Sequence, residues 1–360
     1  MASRGQALAA ARLEVSRAAG LRGRPVLLAG IGIAALAVAL VLGVGFGSVP
    51  LAPGETAAIL LHRLLGLDLA RTWTDATETI VMELRLPRVL TAMVVGSGLA
   101  VAGATFQGLL RNPLADPYVL GTASGAALGA AIAVIIPIRF VILEFGLLHG
   151  LAFVGALASI YTVYKLSRIG GLAPLTSLLL TGYAVGSLLA AGLAMAMYLS
   201  GSALRQIFTY LLGSFDAATW ARLGGALPII LGASLAILFR ARALNGLLLG
   251  EETAANLGVN VKRERAILLA LASLATAAAV AISGLIGFVG LVVPHVVRLI
   301  VGPSARLVLP LSALGGAALL AYADLAARLL GDIPVGVVTA VIGAPFFLFL
   351  LRRARTGYEL

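Results

Sequence analysis

The chain reads as an all-α, polytopic membrane protein with about ten transmembrane helices, and three observations predict this. Of its 360 residues, 61% are hydrophobic and only 11% are charged, where a soluble domain carries roughly 25% charged residues. Uncharged runs such as VLLAGIGIAALAVALVLGVGF at 26–46 reach the ~20 residues that a helix needs to cross a bilayer. The 43 glycines offer small surfaces on which membrane helices approach closely.

A basic tail, 1–25, comes first. It is long, and the apolar run after it exceeds the roughly 7–15 residues of a signal-peptide core, so that run reads as a span rather than a cleaved leader. Span length and Pro/Gly punctuation place the spans near 26–46, 89–110, 117–136, 141–165, 174–199, 219–239, 264–283, 286–300, 306–329 and 335–351. The eighth is short. Residues 47–84 form a longer polar excursion, and GSALRQIFTYLLGSF at 201–215 reads as an interfacial helix. One transmembrane domain, 26–352, is followed by a tail, 353–360. Ten spans put both termini on one side, and 18 of the 26 Lys and Arg residues fall on that side. By the positive-inside rule it is the cytoplasm.

Composition excludes several functions. The chain has no cysteine, and its three histidines, His62, His149 and His295, lack ligand spacing, so no protein-built metal site is expected. Basic residues punctuate spans instead of clustering on a soluble face, which argues against nucleic acid. Neither lysine, Lys165 or Lys262, follows a Gly-rich phosphate loop. Span centres are almost free of charge, and the chief exception, Asp324, lies four residues before Arg328, where the two can pair along one helix face. Ion-coupled transport usually needs charged residues in mid-membrane, so any energy source should lie on another chain.

Several long segments carry a resemblance. RLPRVLTAMVVGSGLAVAGATFQGLLRNPLADPYVLG, GEETAANLGVNV, GLIGFVGLVVPHVVRL and ADLAARLLGDIPVGVVTAVIGAPFFLFLL, in order from about 85 to 352, resemble the FecCD-type permeases of ABC importers for iron chelates, haem and vitamin B12. The resemblance implies a type II ABC importer permease fold and a homodimer in the cell's inner membrane. It also implies two cytoplasmic ATPase subunits and one external substrate-binding protein. ATP and Mg would sit on the ATPase, with no cofactor on this chain. The cytoplasmic gate would comprise Asn112 and Leu114 in the turn after span two, with Leu175 and Thr176 at the start of span five. A bulky leucine stands at 175, where a family member has a hydroxyl residue. Thr181, Tyr183, Ser187 and Met195 would line the path. Arg85 and Arg328 would meet glutamates of the binding protein, where charge pairs steer encounter and fix orientation.

The charged stretch GEETAANLGVNVKRER at 250–265 interrupts this apolar chain. Gly250, Glu251 and Glu252 open a short helix, whose N-terminus favours acids. Gly258 suits the left-handed position that ends it, and Asn260 can cap the helix leading into span seven. The segment reads as two short helices against the cytoplasmic face, at about 250–262. In the family this element, with Ala254, Asn256 and Leu257 in its body, fits a groove on the ATPase. The chain thus reads as the permease of an importer for a bulky metal chelate: a ferric siderophore first, then cobalamin, then haem. A stand-alone secondary transporter and a membrane-embedded structural or receptor subunit are the competing readings.

Overall fold

The computed structural model describes residues 25–47, 49–136, 141–142, 145–168 and 174–356. The basic N-terminal tail and the last residues of the C-terminal tail lie outside them.

Fifteen α-helices are described. They are α1 (Pro25–Gly45), α2 (Pro53–Leu65), α3 (Asp75–Thr79), α4 (Leu86–Leu109), α5 (Thr122–Ile135), α6 (Leu147–Leu166), α7 (Leu175–Leu199) and α8 (Leu204–Leu212). They continue as α9 (Trp220–Phe239), α10 (Ala241–Leu248), α11 (Glu251–Asn256), α12 (Val261–Ser283), α13 (Val289–Val301), α14 (Ala305–Leu329) and α15 (Val335–Thr356). A two-residue antiparallel pair, Val141–Ile142 with Phe145–Gly146, is the only strand pairing among the described residues.

Ten apolar helices occupy the ten expected places. Seven are long and apolar enough to cross a membrane, while α5, α13 and the apolar part of α15 are shorter. The helix entering span two starts earlier than its hydrophobic run suggests, because α3, a π-helical turn at Ile80–Arg85 and α4 follow without a break. Pro87 has no N–H to give to a carbonyl four residues back, and the widened turn lies just before it. The segment 204–212 is helical as expected, and its Ile207 is buried.

α4 forms the centre, packing against α9, α12, α13 and α14. Its glycines make this approach possible. A Cβ on Gly103 would lie 1.9 Å from the Gly290 carbonyl oxygen, and one on Gly96 would lie 2.2 Å from that of Gly316. Backbone therefore rests on backbone, as small residues permit in membrane bundles.

Between α12 and α13 the chain runs non-helically through 284–288, where Ile286 is fully buried. Apolar surroundings cannot satisfy such backbone, so side chains and neighbouring carbonyls do so. The Tyr118 hydroxyl donates to the Ile286 carbonyl at 3.0 Å and accepts from the Ile286 N–H at 3.2 Å. The Leu285 N–H donates to the Tyr210 carbonyl at 3.3 Å. The short eighth crossing is thus a half-helix entered through a buried loop.

Candidate functional site

Functional side chains gather at the two ends of the bundle. At the basic end lies α11. A six-residue helix is too short to persist alone, and the surroundings supply what it lacks. Gly250 precedes it with φ 110, and Glu251 and Glu252 occupy its first turn, where the helix dipole favours negative charge. Glu251 also pairs with Arg265 of α12. The C-terminus closes as a Schellman motif: the Gly258 N–H donates to the Ala255 carbonyl at 2.9 Å and the Val259 N–H to the Ala254 carbonyl at 3.0 Å. Gly258 takes φ 81, as expected of the residue ending this helix. Ala254 is fully buried and joins the apolar core beside Leu244 and Leu268. Asn256 and Leu257 are exposed, Leu257 at 64%. The Asn260 side chain accepts from the Arg263 N–H at 3.0 Å and so caps α12, also as expected.

One boundary differs from expectation. The two short helices are α10 and α11, and α10 begins at Ala241, upstream of the 250–262 interval. Beside them opens a cavity of about 550 Å³ lined by Arg242, Asn245, Leu257, Asn260, Arg263 and Glu264.

The turn after α4 stands against this element. Asn112 is exposed, and its side-chain oxygen accepts from the Leu114 N–H at 2.9 Å. Asp116 accepts from the Tyr118 N–H at 2.8 Å and caps the 3-10 turn Pro117–Leu120. Burial pushes its carboxyl up to about 6, against the pull of that donor. Leu175 begins α7, and its side chain lies outside the described residues; Thr176 is exposed. Within the subunit no hydrogen bond among the described residues joins 112–114 to 175–176.

α7 packs chiefly on α5 and α6 and leaves a continuous stripe uncovered. Thr176, Leu180, Tyr183, Ser187, Met195 and Tyr198 recur along one helical face, and all are exposed. Three of the four expected path residues, Tyr183, Ser187 and Met195, lie on this stripe, whereas Thr181 is half-buried to one side.

At the opposite end, Arg85 and Arg328 are each only 6% exposed. Neither displays a free surface charge. The Arg85 guanidinium donates to the carbonyls of Val44 at 3.0 Å and Gly45 at 2.9 Å, and also to that of Val49. Arg328 donates to those of Gly43 at 2.8 Å and Phe46 at 3.0 Å. Both turn inward because the C-terminus of α1 carries unsatisfied carbonyls and partial negative charge. Asp324 is fully buried and pairs with Arg328 at 3.1 Å, as the i, i+4 spacing predicts. It also accepts from Arg88 of α4 at 2.9 Å, and Arg88 reaches Asp216 at 2.7 Å. These arginines line a cavity of about 240 Å³ with Asp216 and Asp332.

The sequence profile of the FecCD transport family matches residues 35–353. This chain belongs to the FecCD transport family. Among FecCD relatives, it is 46% identical over 279 residues to the cobalamin import system permease protein of Halobacterium salinarum, covering 77% of this chain and 74% of that one. It is 43% identical over 300 residues to the hemin transport system permease protein of Yersinia pestis, covering 81% and 90%. A solved structure described as a metal-chelate type ABC transporter in an inward-facing conformation matches with TM-score 0.78 at 31% identity, covering 91% of this chain and 99% of that one. The chain is therefore a membrane-embedded ABC importer permease subunit, with ATP hydrolysis on a separate subunit.

Several residues of this FecCD chain escaped the sequence reading. Arg88 was within reach: a carboxylate buried in an apolar helix needs further hydrogen-bond donors for the lone pairs that its ion pair leaves open, and Arg88 follows Arg85 by three positions in LRLPR. The Arg240–Glu264 pair at 2.8 Å and the Tyr118 hydroxyl bridge left no local signal. They depend on which helices become neighbours.

Proposed function

We propose that this permease acts as a homodimer in the cell's inner membrane, with both termini cytoplasmic. It moves a bulky metal chelate inward from an external binding protein, driven by two ATPase subunits that hold ATP and Mg. The observation that carries this reading is α11: a capped, acidic, exposed helix, anchored by Ala254 and set beside the turn bearing Asn112 and Leu114. Gly250, Glu251, Glu252, Asn256, Leu257 and Gly258 form the ATPase contact, and the neighbouring cavity gives the ATPase a second foothold.

The stripe on α7 supports the homodimer. The hydroxyls of Thr176, Tyr183, Ser187 and Tyr198 gain nothing from lipid tails, so this face suits a second copy and a wet path between the two. Asn112, Leu114, Leu175 and Thr176 close the path at the cytoplasmic side. Arg85 and Arg328 form the floor of the outer docking cavity, which an acidic side chain of the binding protein enters. On the path, Met195 and the aromatic side chains of Tyr183 and Tyr198 suit a flat ring, so our reading puts a macrocyclic chelate ahead of a ferric siderophore.

Co-purification from a tagged chain tests the reading. An ATPase subunit should come with the intact chain and be lost on deleting 250–260, and the binding protein should hold cobalamin or haem more tightly than a ferric siderophore. Proton-driven uptake in proteoliposomes without ATPase would overturn it.

A further inference from the structure

Arg111 is the residue between the end of α4 and the gate turn. Its φ of 48 puts a long, non-glycine side chain in the left-handed region, a conformation that persists only where surroundings impose it. Its side chain reaches across to the coupling element: a Cβ built on Gly250 would stand 3.7 Å from the Arg111 Nη1 atom. Among the described residues the guanidinium makes no hydrogen bond or ion pair, and the residue is exposed.

The place it reaches is the joint between two anchored helices. α10 is held fast on two sides. A Cβ on Gly108 of α4 would lie 2.8 Å from the Leu244 Cδ1 atom, and the Asn245 side chain accepts from the Ala305 N–H of α14 at 2.7 Å. α11 is held through Ala254, Val259 and the Glu251–Arg265 pair. Only Leu249 and Gly250 separate the end of α10 from α11, and Gly250 takes a φ of 110 that glycine alone adopts readily. Two carboxylates, Glu251 and Glu252, follow it and are opposite in charge to the guanidinium.

We propose that Arg111 is the positioning residue that links the gate turn to the coupling element. Its guanidinium stands beside the Gly250 joint and follows the acidic first turn of α11, so that a tilt of α11 displaces Asn112 and Leu114. The inference rests on the reading of α11 as the ATPase contact.

The test uses the reconstituted transporter with its ATPase and binding protein, reading ATP hydrolysis and uptake separately. Arg111→Gly removes the side chain while accepting the backbone conformation without strain, so the fold is not the casualty. Arg111→Gly should keep its ATPase and hydrolyse ATP near the wild-type rate, yet lose uptake by about tenfold, the range of a coupling between sites. Arg111→Lys, which keeps the cation, should recover most of that uptake. Uptake by Arg111→Gly within about twofold of wild type, with ATPase bound, would overturn the proposal. A parallel loss of ATPase and thermal stability would also overturn it, because Arg111 would then be structural. Failure of the α11 reading shows separately, as ATPase retained after deletion of 250–260.

Discussion

Gly258 offers a clean perturbation of α11. It sits at φ 81, and a Cβ there would meet nothing within 4 Å. Within the subunit a replacement therefore introduces no steric clash, and there only the backbone preference changes. A left-handed conformation costs an ordinary L-residue roughly 1–2 kcal/mol. The chain can avoid that cost by fraying, at the expense of the two Schellman hydrogen bonds at 2.9 and 3.0 Å, which are worth about 1 kcal/mol each. Both routes lead to a deficit of about 1–2 kcal/mol in a six-residue helix with little stability of its own. A partner that binds only the formed helix loses affinity in proportion to the population lost, about 5- to 30-fold. The assay is titration of purified ATPase onto the permease in nanodiscs. Gly258→Asn should weaken binding least, because asparagine tolerates the left-handed region, then Gly258→Ala, then Gly258→Val, whose branched Cβ resists it most. Equal affinities across the three would refute the reasoning, and so would an asparagine variant weaker than valine.

Gly103→Ala should lower thermal stability in detergent, because its Cβ would fall 1.9 Å from the Gly290 carbonyl oxygen and part the α4 and α13 backbones. Overpacking of this kind costs about 1–3 kcal/mol, and an unchanged melting temperature would contradict the packing. Asp116→Asn should act through pH. The folded state raises this carboxyl from 3.8 to about 6, so ionisation is disfavoured in the folded protein. The penalty is absent below about pH 4, grows through pH 6 and is complete above it, on the order of 3 kcal/mol. Asparagine keeps an oxygen for the Tyr118 N–H and removes the charge, so the variant should melt like wild type at pH 4 and higher at pH 8. A variant melting lower than wild type at pH 8 would count against this origin of the shift.

The sequence by itself determined what depends on near neighbours along the chain. Apolar runs and proline breaks placed all ten apolar helices. Capping chemistry, which acts over three to five residues, located the end of α11 at Gly258 and the start of α12 at Asn260. The Asp324–Arg328 pair followed from one helical turn, and the motif order pointed to the family. Tertiary structure decided what depends on distant partners. Arg88 meets Asp324 across 236 positions, a contact that exists only because small residues let α4 and α14 pack backbone to backbone. Arg85 and Arg328, expected at an outer surface, turn inward because the end of α1 brings unsatisfied carbonyls within their reach. The uncovered stripe of α7 emerges only when α5 and α6 have claimed its other face. Arg111 came to face Gly250 in the same way: one turn of chain set its backbone, and the packing of α10 against α4 set what its side chain could reach.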